Sequence, residues 1–259
     1  MRSFKVRLAA RFDYLRLTST GFERVPNVDL ASAFVYYLVF LYSTTVHEAA
    51  HAWAAKLGGD LTAYHGGQVS LDPRAHIKRE PIGMVVLPIV SALLSGWPMG
   101  FASAPYDPQW ALRHPRRAAW MALAGPGANI LLVLLAGIAI RVGIMAGVFH
   151  APEAVNFDRI VAGVESGLWP AVAFFLSVTF ALNLVLAALN LLPIPPLDGS
   201  AALPLFMSAS ATRRYQEFMM RNAGLGLIGI FVAWQVFDKV FQPVFLLAVN
   251  LLYPGLRYS

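Results

Sequence analysis

The stretch LASAFVYYLVFLYSTTVHEAAHAWAAKLGG, Leu30–Gly59, carries no charged residue from Leu30 to Val46 and then sets His47, Glu48 and His51 close together. A bilayer crossing needs about 20 consecutive apolar residues, so the uncharged part is long enough to enter a membrane. Ionisable groups at the end of such a run are costly to place in lipid and mark function by default. The fold and the chemistry of the chain both turn on this combination.

The rest of the chain repeats the apolar half of the pattern. Of 259 residues, 58% are hydrophobic and only 13% are charged, against roughly 25% charged in an average soluble domain. Mean hydropathy is +0.59. Further uncharged runs cover Pro81–Tyr106, Ala118–Ile140, Ser166–Leu197, Asn222–Phe237 and Val240–Leu256. Buried helices of a soluble protein would keep a polar face at a 3.6-residue period, and these runs have none. The sequence therefore predicts an all-α polytopic membrane protein with about 4–6 transmembrane helices.

A net charge of +6 does not point to nucleic acid, because the basic residues are scattered over loops and not gathered on one face. Near span ends they serve topology and lipid headgroups. The absence of cysteine excludes a disulfide framework, thiolate metal sites and thiol catalysis. Residues 1–29 hold six basic and three acidic residues without the continuous apolar core of a signal peptide. They read as a basic tail, either surface-lying or disordered. Residues 30–259 read as a single transmembrane domain, with no loop long enough for a separate soluble domain.

In His47-Glu48-Ala49-Ala50-His51 the histidines are four apart, one above the other on a helix face. That spacing lets two imidazoles hold one zinc ion while the intervening glutamate reaches the attacking water. Zinc takes a third protein ligand and keeps one position open. The candidates are the other four histidines and the carboxylates. Most carboxylates sit among loop charges, but Asp198 ends the longest uncharged run, in Asn190-Leu191-Leu192-Pro193-Ile194-Pro195-Pro196-Leu197-Asp198-Gly199. Its prolines break the preceding helix, and irregular backbone at membrane depth is tolerated only against protein or a wet cavity. Such a turn can aim Asp198 at the metal. His65, His76, His114 and His150 fall in loops or at segment ends and are poorer candidates.

These residues resemble the site-2 protease (M50) family of intramembrane zinc metalloproteases. HEAAH on an early helix, Ala124-Gly125-Pro126-Gly127-Ala128-Asn129 on a middle one and NLLPIPPLDG on a later one stand in the family's order, from about Leu30 to Leu205. The resemblance is to the compact members without PDZ or CBS modules. It implies one zinc ion per chain held by His47, His51 and Asp198, with Glu48 as catalytic base. It also implies a single-spanning membrane protein as substrate and a site nearer the cytoplasmic face of the cell membrane. Asn190 and Asn129 are expected as amide donors to the oxyanion or the substrate backbone, with interhelical hydrogen bonds as the competing reading. The glycines of 124–129 are expected to permit close helix approach. A strand-like region is expected over 61–80, although Gln68 and Asp72 stand where the family often has arginine and asparagine, and Lys78-Arg79-Glu80 looks like a local insertion.

Topology adds a parity condition. His47 and His51 lie near the end of the first helix (30–57), and Asp198 lies just past the end of another (167–192). Both ends must share one side of the membrane, so an even number of crossings separates them. The helices over 118–146 and 167–192 supply two, which leaves Pro81–Tyr106, rich in glycine and proline, as a re-entrant segment. Residues 222–254 could form one helix or a hairpin. Loops on the zinc side carry ten basic residues and those opposite eight, too even for charge to orient the chain. A metal-transporting membrane protein or a catalytically inactive relative would share the histidine pair. The first would offer further ligands along the other spans, which the sequence lacks.

Overall fold

The first long helix is delimited by its own caps. Asp29 accepts from the backbone N–H groups of Ala31 and Ser32 at 3.2 Å, which starts α1 (Leu30–Gly58). Gly59, with φ of 97°, ends it in the left-handed conformation that glycine adopts without penalty. The structure is a computed structural model that describes residues 3–6, 29–95, 97–222 and 224–259. The reading of the N-terminal tail falls largely outside these residues.

Among the described residues four helices are long and apolar enough to cross a membrane: α1, α6 (Pro115–Met145), α7 (Trp169–Asn190) and α10 (Leu225–Leu252). The C-terminal segment is thus one helix. Their packing inverts the pattern of a soluble protein. On α1, Ser43, Thr44, Thr45, His47, Glu48 and His51 are buried, while Phe34, Tyr42, Trp53 and Leu57 are exposed. On α6, Leu131, Leu134, Leu135 and Ile138 face outward, and on α10 so do Leu227, Ile228 and Phe231. Polar groups inside and large apolar groups outside suit a lipid solvent. The chain is an integral membrane protein built from helices.

Between α1 and α6 the described residues form no helix long enough to cross a membrane. The two short helices α2 (Thr62–His65) and α3 (Pro73–Ile77) follow α1. The strand-like region expected over 61–80 is not present. Asp60 instead accepts from the N–H and hydroxyl of Thr62, and Asp72 accepts from the N–H of Arg74. These side-chain-to-backbone bonds nucleate helical turns in place of a strand ladder. A π-helical turn (Ile82–Val86) then leads into α4 (Leu87–Ser95). At 1.5 Å per residue the two rise about 21 Å, short of the roughly 30 Å hydrocarbon core. The chain next runs back, and Phe101 N–H donates to Gly83 O at 3.1 Å. The segment is a hairpin that returns to its starting level. Lys78-Arg79-Glu80 contributes to its anchor: Arg79 Nε donates to Ser103 O and Ser103 Oγ donates to Glu80 Oε1.

After the hairpin, α5 (Pro108–Arg113) leads into α6. Trp110 Nε1 and Arg117 each donate to Gly58 O at 3.1 Å, which holds the start of α6 beside the end of α1. Asp60 Oδ2 accepts from Asp107 N–H at 2.8 Å. Burial pushes the Asp60 carboxyl up, but its bonds from Thr62 and Asp107 outweigh that and leave it below the usual range.

The opposite end of the bundle is closed. The connection from α6 to α7 forms the strands β2 (Phe149–His150), β3 (Ala154–Val155) and β4 (Ala162–Gly163), with β2 and β4 antiparallel. Backbone strand β1 (Ser3–Val6) runs parallel to β3 and to β5 (Arg257–Tyr258). Val155, Phe157, Ile160 and Val161 are buried with Phe237, Phe241 and Phe245 of α10 in the largest apolar cluster. Ser177 Oγ accepts the N–H groups of Ile160 and Val161, and Tyr253 OH donates to Ile160 O.

Candidate metal centre

Three helices bring the chemistry together. His47 and His51 stand one turn apart on α1. α7 ends at Asn190, and the proline-rich turn that follows leads into the short helix α8 (Asp198–Ala202), placing Asp198 in its first turn. A Cβ on Gly199 would collide with the backbone of Leu191 and Leu192, so glycine is what allows α8 to fold back on the end of α7. As a result Asp198 Oδ2 lies 3.2 Å from His47 Nε2 and 3.4 Å from His51 Nε2, and the two Nε2 atoms are 3.0 Å apart.

The hydrogen-bond partners fix the state of both rings. His51 Nδ1 lies 2.7 Å from Met121 O, a carbonyl that can only accept, so Nδ1 carries the proton. Asn129 Nδ2 donates to Asn183 Oδ1 at 2.8 Å. This turns Asn129 Oδ1 toward His47 Nδ1 at 2.5 Å, and that nitrogen is also a donor. Both Nε2 atoms therefore present lone pairs, toward each other and toward a carboxylate oxygen that is buried without a hydrogen-bond partner. Three electron-rich atoms converging at this distance repel unless a cation lies between them.

The triangle fits zinc. Tetrahedral zinc with ligands at about 2.0–2.1 Å places neighbouring ligand atoms about 3.3 Å apart, close to the three observed edges. Two imidazoles and a carboxylate form a hard-to-borderline donor set of the kind zinc takes. His47, His51 and Asp198 form such a group among the described residues. Glu48, 5% exposed, makes no hydrogen bond to another described residue. With Asp198 it gives the buried site a formal charge of −2, which a divalent cation offsets.

A small-residue contact completes the centre. A Cβ on Gly125 of α6 would fall on the Nε2 atoms of both histidines. Gly127 would meet nothing within 4 Å. Close approach, expected for both, holds at Gly125 alone. Asn129 makes the interhelical bonds of the competing reading: it is fully buried, and its amide links His47 to Asn183. Asn183 in turn donates to Ser43 Oγ and Thr179 O. The sequence reading passed over Asn183 and Ser43. The visible signal was an amide inside the uncharged run Ser166–Leu197, where an unpartnered polar group is expensive. Asn190 is half-buried, with Nδ2 donating to Leu186 O at 3.0 Å.

The comparisons agree with this geometry. The model of peptidase family M50 matches residues 35–232. The chain is 32% identical over 166 residues to YwhC of Bacillus subtilis (strain 168), a match covering 63% of this chain and 65% of YwhC. It is 34% identical over 182 residues to Rip2 of Mycobacterium tuberculosis (strain H37Rv), covering 70% of this chain and 61% of Rip2. Rip2 of Mycolicibacterium smegmatis is 30% identical over 176 residues. Their names assign all three provisionally to the zinc metalloproteases. The chain thus spans about three fifths of the length of these relatives. No solved structure matches it.

Proposed function

Because this chain belongs to peptidase family M50, we propose that it is a zinc metalloendopeptidase that hydrolyses a peptide bond within or near the transmembrane segment of a single-spanning membrane protein, as in regulated intramembrane proteolysis. One observation carries the reading: two Nε2 lone pairs and a carboxylate oxygen converge within 3.4 Å of one another, beside a buried glutamate that no described residue binds. Zinc, when bound, supplies Lewis-acid activation of water and of the scissile carbonyl.

The residues divide the remaining work. His47, His51 and Asp198 hold one ion per chain. Asn129 and Met121 O keep the histidine rings in the tautomer that can ligate, a role whose loss typically weakens metal binding. Glu48 takes a proton from the attacking water and gives it to the leaving amine. Asn190 keeps one N–H and its carbonyl oxygen for the backbone of a substrate peptide. That peptide must first give up helical hydrogen bonds, since an intact helix shields its carbonyls.

The centre lies toward the end of the bundle that carries the starts of α2 and α6, and we assign that end to the cytoplasmic side of the cell membrane, a reading supported by the family resemblance alone. The chain has no cysteine, so a Ser208→Cys variant on that end reports orientation: labelling from outside intact cells contradicts the assignment. For the activity, the purified chain is reconstituted with a labelled single-span peptide. Cleavage should stop on chelation and return with zinc. Persistent cleavage after chelation removes the metalloprotease reading.

A further inference from the structure

A second feature, independent of the hydrolase reading, lies outside the metal centre. A cavity of about 720 Å³ opens between the α5–α6 junction and α9 (Ala209–Arg221). Arg113, Arg116 and Arg117 line it from one wall and Arg213 from the other, with Glu217 the one carboxylate in the lining among the described residues. Four arginines against one glutamate leave a formal charge of +3. His114 also lines it and adds positive charge when protonated.

Among the described residues little neutralises that charge. Arg113 is 3.6 Å from Asp107, with both side chains well exposed, a pairing worth little in water. Arg117 donates to a carbonyl, Gly58 O, which leaves its charge uncompensated. Arg116 and Arg213 have no carboxylate within 4.0 Å among the described residues. The first free N–H groups of the 31-residue α6 belong to Arg116 and Arg117 and receive no side-chain cap, so the helix dipole adds to the positive potential here.

The place of the cavity beside the starts of two spans bears on the kind of anion it suits. Its walls are the start of one span, α6, and the short helix that precedes another, α10. On α9, Arg213, Arg214, Glu217 and Arg221 share one face and Thr212, Tyr215 and Met219 the other, at helical spacing. Phe206, Phe218 and Met220 are exposed close to the arginines. Exposed aromatic and aliphatic side chains beside basic ones mark the headgroup boundary of a bilayer. The lining combines arginine with Leu112, Met207 and Met220. A phosphate flanked by apolar chain suits that combination, and the planar guanidinium suits phosphate oxygens.

We propose that this cavity binds the phosphate of an anionic phospholipid headgroup, held by Arg116 and Arg213 from its two walls. An occupied site joins α9 to the start of α6, which Gln216 Nε2 otherwise approaches through a 3.3 Å bond to Ala111 O on α5.

Native mass spectrometry of the full chain in mixed micelles of phosphatidylcholine and phosphatidylglycerol tests it. The wild type should retain phosphatidylglycerol preferentially. Arg116→Gln with Arg213→Gln should lower that preference about tenfold or more, as two basic groups near an anionic surface predict. Arg116→Lys with Arg213→Lys, which keeps the charge, should preserve most of it. Arg257→Gln, exposed at the far end of the bundle, should have no effect. Retention by the Gln pair equal to wild type, or an equal loss in Arg257→Gln, overturns the proposal. Millimolar inorganic phosphate separates the sources: failure to displace the lipid supports the headgroup, and full displacement with stabilisation in phosphatidylcholine alone overturns the lipid in favour of free phosphate. Equal melting of all variants in pure phosphatidylcholine rules out a folding defect.

Discussion

Asn129 Oδ1 sits 2.5 Å from His47 Nδ1, so a residue of α6 sets the tautomer of a ligand on α1. Removing the acceptor with Asn129→Ala should weaken zinc retention about 10–100-fold. Asn129→Asp, which keeps an oxygen in place, should lose less. Competition against a chromogenic chelator measures both. Equal affinity in wild type and Asn129→Ala would show that the ring needs no such support.

Gly125→Ala places a methyl group on the Nε2 atoms of both histidines. Loss of bound zinc is expected even where the bundle still folds, because the methyl occupies the ion's side of the rings. Gly127→Ala, with nothing within 4 Å of its Cβ, is the matched control. Elemental analysis reads the outcome, and one zinc per chain in Gly125→Ala contradicts the packing described.

Glu48→Gln keeps the shape of the side chain but cannot take a proton. Turnover of a transmembrane peptide should fall by about 10²–10⁴, the usual range for a positioned acid–base group, with zinc content unchanged. Full activity in that variant would move the proton transfer to another group.

The depressed Asp60 carboxyl gives a pH signature. A carboxyl lower in the folded chain than unfolded contributes stability that is present above the unfolded value, about 3.9. That stability is lost as pH falls through the folded value. Wild type should therefore lose thermal stability more steeply than Asp60→Asn below about pH 4. Parallel melting curves across that range would assign the Asp60 contacts no linkage.

Much of the centre was legible because its signals are local or topological. His47 and His51 need only helical spacing. Asp198 needs only to be the carboxylate that closes an uncharged run. The parity of the two helix ends argued against a full crossing over Pro81–Tyr106, where the structure has a short helix and a return to Gly83 through the Phe101 N–H. The strand expected over 61–80 came from likeness to relatives, and Asp60 and Asp72 overrode it with short-range caps that act within two residues. The His47–Asn129–Asn183–Ser43 chain was hidden for another reason. Its members are up to 140 positions apart, and a neutral amide within an apolar run does not name its partner.

The far end of the bundle sets a limit on what the molecule does to the membrane around it. The proposed hydrolysis requires solvent at the centre, and solvent inside a bilayer threatens the electrochemical gradient. Phe157 and Phe241 lie nearly parallel with ring centroids 5.7 Å apart, and Phe245 follows at 5.8 Å from Phe241, within the apolar cluster at that end. Water and protons that serve the proposed site then do not pass between these rings, and the apolar packing keeps this end of the bundle dry.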